Sequence, residues 1–135
     1  MGRIPTLGAT LFIGIFLSGC ATYTYTQYES EMRYSQANEL REVLIKDDSM
    51  AVCFNMKPSQ LVHKARTAIL ECVREEKPKR PYELSLRQVV TYATADGECG
   101  QRKFVIEHMD SIDLNAVPAK YLTTCKTWKE YYAEE

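Results

Sequence analysis

The residues that could carry chemistry in this chain are five cysteines, two histidines and a short run of carboxylates. A Ser-His-Asp site needs a histidine that an acid turns toward a nucleophile. Asp110 stands too near His108 along the chain to orient it. His63 lies beside an apolar helical stripe, the place of a surface or core-edge histidine. No ligand-pair spacing joins either histidine to a cysteine, so no metal site is expected. Glu107, Asp110 and Asp113 recur every three residues and would share one helix face. Acid–base work needs one carboxylate in an apolar pocket and another in water, whereas this spacing reads as a solvated acidic face. Asp110-Ser111-Ile112-Asp113-Leu114-Asn115 lacks the central glycine of a calcium loop. Gly97 and Gly100 follow no phosphate-loop pattern. The chain does not read as an enzyme: no catalytic residue, metal or cofactor is expected.

The first cysteine, Cys20, closes an apolar run from about Leu7 to Leu17, which follows one positive charge, Arg3. A charged start, an apolar stretch of about ten residues and small residues before a cut are the parts of a secretory signal. A membrane-spanning helix needs about 20 apolar residues, and Pro5, Thr22 and Thr24 leave too few. Leu17-Ser18-Gly19-Cys20 resembles the lipobox of bacterial lipoproteins, which reads Leu, a small residue, Gly or Ala, then Cys. The resemblance covers residues 1–20 only. It implies that 1–19 are a signal peptide, that the Cys20 thiol takes a diacylglycerol, and that cleavage frees an amine that is acylated in turn, as by palmitate. Each buried methylene contributes about 0.8 kcal/mol, so one chain binds a bilayer marginally and two or more hold. Ala21 follows, not the Asp that retains such proteins in the inner membrane. The resemblance thus implies a lipid anchor in the outer membrane, facing the periplasm.

Removing 19 of the 135 residues leaves 116, enough for one small core. Without Arg3, 16 of the 17 basic side chains stand against 18 acidic ones, a balance of about −2. That gives no electrostatic reason to expect nucleic acid as a partner. Lys77, Lys79 and Arg80 do cluster, but Glu75, Glu76 and Glu83 flank them, as in a solvated turn. The remaining cysteines, Cys53, Cys72, Cys99 and Cys125, are even in number, which in an exported domain predicts two disulfides. No C-x-x-C occurs among them, so neither a zinc ribbon nor a thioredoxin-type motif is supported.

These groups must be positioned by a small set of elements. Residues 20–34 alternate Thr and Tyr and read as a membrane-proximal tether, with the tyrosine rings suited to the bilayer interface; an edge strand is the competing reading. From Ser35, Ala37, Leu40, Val43 and Leu44 fall at helical spacing, until Asp47-Asp48-Ser49. Met50 to Met56 reads as extended or as a loose turn. Ser59 is a plausible N-cap, and Leu61, Val62, Ala65, Ile69, Cys72 and Val73 make one stripe, predicting a helix over 59–77. Pro78 and Pro81 bracket a turn.

Residues 82–95 are two-faced: Leu86, Val89, Val90 and Ala93 fit a helix, while Val89 to Thr94 favours a strand and Asp96-Gly97 signals a hairpin. Helix is preferred because Phe104, Val105, His108 and Met109, and then Leu122, Cys125 and Trp128 after Pro118, keep the same spacing. Ser111 to Val117 reads as a linker. The expected fold is mainly α, a small up-and-down helical domain over 35–135. The alternative is α+β, with a hairpin over about 85–109.

Antiparallel helices over about 59–77, 82–95, 99–111 and 118–133 would bring Cys99 back beside Cys53 and set Cys125 level with Cys72. The expected bonds are therefore Cys53–Cys99 and Cys72–Cys125, and a hairpin over 82–109 would break that expectation. Trp128 and Tyr131 are the candidate partner contacts: Trp128 shares a helix side with Cys125, which favours core packing, and Tyr131 points elsewhere. The leading functional expectation is a non-enzymatic envelope lipoprotein that binds a protein partner or supports an assembly. The alternatives are a small metal-binding, ligand-binding or enzymatic lipoprotein using His63 or His108, and an inhibitor of a periplasmic enzyme.

Overall fold

A computed structural model describes residues 22–131. The chain is mainly α, as expected, and its elements begin with a pair of strands far apart in sequence. Strand β1 (Thr22–Thr24) pairs antiparallel with β2 (Glu83–Ser85), Tyr23 opposite Leu84. Both strands bury their middle residue and expose at least one neighbour, the period of two that one covered face demands.

Each strand runs directly into a helix through the same device. Thr24 accepts a hydrogen bond from the Gln27 amide at 3.1 Å, and the Gln27 side chain accepts one from the Thr24 amide at 2.8 Å. Ser85 and Gln88 repeat this reciprocal capping at 3.2 and 2.9 Å. Two otherwise orphaned backbone donors are satisfied at each helix start. The helices so begun are α1 (Tyr25–Lys46) and α4 (Leu86–His108). Between them lie α2 (Ser49–Cys53) and α3 (Pro58–Glu76), and α5 (Leu122–Tyr131) ends the described chain. Helix α3 packs against α1 and α4, and α2 packs against α5.

Residues 22–34 are therefore part of the fold and not a tether. Helix α1 begins ten residues before the expected Ser35 start, at Tyr25. Tyr25, Tyr28, Met32, Ala37, Leu40 and Leu44 form its buried stripe. Tyr23, Tyr25 and Tyr28 are buried in the protein, so they are not interfacial rings. Met50 to Met56 also differs from expectation: α2 occupies its first half and buries Met50, Ala51 and Cys53. Asn55 then turns left-handed, with φ 53°, a conformation asparagine tolerates better than most residues.

Two separate helices were expected over 82–95 and 99–111, and a hairpin was the alternative. Instead α4 runs unbroken through Asp96-Gly97. This single change redirects the disulfides. An uninterrupted α4 lies along α3 in one antiparallel pass, which sets Cys99 beside Cys72 and leaves Cys53 for Cys125. The bonds are Cys72–Cys99 and Cys53–Cys125, with Cα atoms 6.2 and 5.1 Å apart. The expected pairing of Cys53 with Cys99 and Cys72 with Cys125 is thereby corrected.

At Gly100 α4 packs directly on the backbone of α3. A Cβ there would lie 2.7 Å from the Ile69 Cα and would also strike the Ile69 side chain. Backbone cannot yield as a flexible side chain can. Gly100→Ala is expected to lower stability by about 2 kcal/mol through overpacking, despite the gain of about 1 kcal/mol in helix propensity. Urea unfolding under oxidising conditions measures it; a more stable variant would contradict the close approach.

Candidate functional site

Two features stand out, one beside the start of α3 and the other where the end of α3 and the loop after it meet the middle of α4. The first is a cleft of about 680 Å³ between α2, the start of α3 and the segment after α4. Val52, Met56, Ala116, Val117 and Pro118 supply apolar lining, and Asn55, Gln60, Ser111 and Asp113 supply polar groups. Cys53 also lines it, so its bond to Cys125 fixes one wall. The left-handed turn at Asn55 lets the chain leave α2 and re-enter α3 while exposing the Asn55 side chain. Across the cleft, Asp113 accepts a hydrogen bond from the Asn115 amide at 3.0 Å, a side-chain turn that shapes the loop. A concave surface that mixes apolar side chains with polar ones, Lys57 among them, has the make-up of a protein contact.

The second feature is buried and fully bonded. Asp96 and Arg80 form a two-pronged ion pair at 2.7 and 2.8 Å, with side chains 2% and 9% exposed. The Tyr28 hydroxyl donates to the same carboxylate at 2.5 Å. Arg80 donates to the Tyr25 hydroxyl at 3.2 Å, and that hydroxyl donates to the Val73 carbonyl at 2.6 Å. The guanidinium lies 4.1 Å from the centre of the Tyr92 ring, a cation–π contact. This cluster ties α1, α3 and α4 to the loop that carries Arg80. Both carboxylate oxygens are engaged and the acid is buried, so the cluster holds the fold and presents no free acid or base.

The cluster's electrostatics follow from its burial. Burial pushes the Tyr28 hydroxyl well above the ordinary tyrosine range, and the adjacent Asp96 charge pushes it further. Burial raises Tyr25 as well, with Arg80 opposing. For Arg80, burial pulls downward, but the hydrogen bonds and charge of Asp96 outweigh it and leave the guanidinium held more firmly protonated. The tyrosine contribution to stability is thus fully present below the unfolded-state value of about 10. It is lost as pH climbs above that value toward the raised folded-state ones. In an alkaline titration, Tyr25 and Tyr28 are expected to ionise only as the protein unfolds, so part of the tyrosinate absorbance should appear together with the loss of helical signal. A single phase near the ordinary tyrosine value would refute this.

The chain matches no family model, no curated protein and no solved structure. Any functional reading must therefore come from its own residues.

The residues singled out in the sequence are scattered. His63 is exposed on α3, 3.5 Å from Arg66. His108 packs on Phe104, ring centres 4.8 Å apart, near the end of α4. Glu107, Asp110 and Asp113 are exposed, but α4 ends at His108, so they do not continue one helix face. Among the described residues, no group of three or more His, Cys, Asp or Glu could hold a metal ion.

Trp128 is 2% exposed and packs on Phe54, ring centres 5.8 Å apart. It is a core residue and is withdrawn as a partner contact. Tyr131 is 58% exposed. Cys20 lies outside the described residues, and among those no helix is long and apolar enough to cross a membrane.

Sequence reasoning missed the cleft, whose walls come from residues 51–60 and 111–118. It also missed Asp96 and Arg80, each hidden inside a turn signal. A signal for the helix starts was present: Thr24-x-x-Gln27 and Ser85-x-x-Gln88 are both capping-box patterns.

Proposed function

We propose that this chain is the precursor of a lipid-anchored bacterial envelope protein whose helical domain binds another protein and catalyses nothing. The observation that carries the binding half is the cleft between α2 and residues 111–118, lined by apolar and polar side chains together. Its walls are held by the Cys53–Cys125 bond and by Tyr121, which donates to Asp48 at 2.7 Å. A preorganised surface loses less entropy on binding. The lipobox-like Leu17-Ser18-Gly19-Cys20 and the two disulfides support the address, since such bonds persist in oxidising compartments. The outer membrane, facing the periplasm, is the compartment this reading places it in.

A photo-crosslinking residue in place of Ala116, in intact cells, tests the binding half. The expected result is one discrete protein adduct that disappears when Val52→Arg is introduced at the half-buried cleft wall. No adduct, or adducts indifferent to Val52→Arg, would sink it.

A further inference from the structure

We infer that the β1–β2 end of the domain rests against the phosphate-bearing surface of the bilayer, which leaves the cleft pointing away from the membrane. This deepens the proposed function and rests on its lipid anchor at Cys20. Cys20 precedes Thr22 by two residues, so covalent geometry alone keeps their Cα atoms within about 7 Å. Thr22 is paired to Ser85 at the start of α4, and the Tyr25 amide donates to the Tyr82 carbonyl at 2.7 Å. The anchored end therefore enters the domain through a ribbon fastened on both sides, with no slack between lipid and fold.

What surrounds that entry suits a headgroup layer. The loop Lys77-Pro78-Lys79-Arg80-Pro81-Tyr82 joins α3 to β2. Arg80 is turned inward to Asp96, which pins the loop, while Lys77 and Lys79 are exposed. Arg87, in the first turn of α4, is exposed beside the ribbon. No ion pair among the described residues engages Lys77, Lys79 or Arg87. Glu83 is exposed beside them and Glu76 is half-buried, while the exposed Glu75 is paired with Lys103 and Arg74 with Glu29 at 3.8 Å. Tyr82 is 62% exposed, and an amphipathic ring at a membrane–water boundary is a favoured placement. Basic side chains next to a lipid anchor add attraction to anionic headgroups. The cleft uses the opposite ends of α3 and α4, and the 19 residues of α3 span about 28 Å.

The test uses the mature, lipidated protein in vesicles of phosphatidylethanolamine and phosphatidylglycerol. A benzophenone amino acid replaces Tyr82 in one preparation and Val117 in another. Mass spectrometry reads both the N-terminus and any lipid adduct. The expected result is an acylated Cys20, with several-fold more lipid adduct at position 82 than at 117. That excess should shrink when Lys77→Glu and Lys79→Glu are combined. An acylated Cys20 with equal adducts at both positions, or none at 82, overturns the orientation and leaves the anchor standing. An unmodified Cys20 in an intact N-terminus overturns the anchor and this inference together.

Discussion

Replacing Asp96 with Ala is expected to cost about 3–5 kcal/mol, the range for removing one partner of a buried ion pair. Small domains are stable by only about 5–15 kcal/mol, so this one change takes a large share. Asp96 accepts three hydrogen bonds, two from Arg80 and one from Tyr28. Without it, Arg80 keeps its charge in a site where the side chain is only 9% exposed, and the Tyr28 hydroxyl loses its acceptor. Arg80→Met together with Asp96→Leu removes both charges and is expected to recover most of the loss, because the penalty lies in the unpaired group. Urea unfolding followed by circular dichroism measures all three proteins. A loss under about 1 kcal/mol for Asp96→Ala, the worth of a surface pair, would show that the cluster does not hold the fold.

Removing the Cys53–Cys125 bond by Cys→Ser at both positions is expected to cost about 4 kcal/mol, the loop-closure value for a 72-residue separation. The same change at Cys72 and Cys99, separated by 27 residues, is expected to cost about 3.5 kcal/mol. The two losses should differ more in kind than in size. Helix α5 has 10 residues, too few to persist in water without tertiary support. Its other ties include Trp128 on Phe54 and the Lys129 ammonium, which donates to the Ile112 carbonyl at 2.7 Å. Loss of Cys53–Cys125 should therefore loosen α5 first and shift the emission of Trp128, the sole tryptophan of the chain, before global unfolding. Loss of Cys72–Cys99 should leave that emission unchanged until the whole domain melts. Trp128 emission that responds alike in both variants would contradict this division. Non-reduced peptide maps showing Cys53 joined to Cys99 would overturn the pairing itself.

The candidate site was less legible than the fold. The cleft is assembled from two stretches about 50 residues apart in sequence, and neither carries a pattern that announces the other. Nothing in the run Met50 to Met56 marks Asn55, which a left-handed turn leaves exposed beside the cleft. Helical spacing already favours core packing for Trp128 and leaves Tyr131 as the better contact candidate, and the burial follows that division. Trp128 became core because Phe54 and Phe104 meet there, ring centres 5.0 Å apart.

Sequence alone determined the helical class, the four paired cysteines and the helix around 59–77, found at Pro58–Glu76. These rest on local causes: apolar spacing, proline punctuation and an even count of cysteines. Tertiary structure decided three things that spacing could not. It drew the Thr-Tyr segment into the fold, because β1 finds its partner in β2 some 60 residues on. It carried α4 through Asp96-Gly97, because Arg80 and Tyr28 give the aspartate better partners than a turn would. And it set the disulfides, because with no turn at Asp96 the chain cannot bring Cys99 back to Cys53. Turn chemistry is a local preference of about a kilocalorie, whereas a turn that withdrew Asp96 would leave the buried Arg80 unpaired at a cost of about 3–5 kcal/mol.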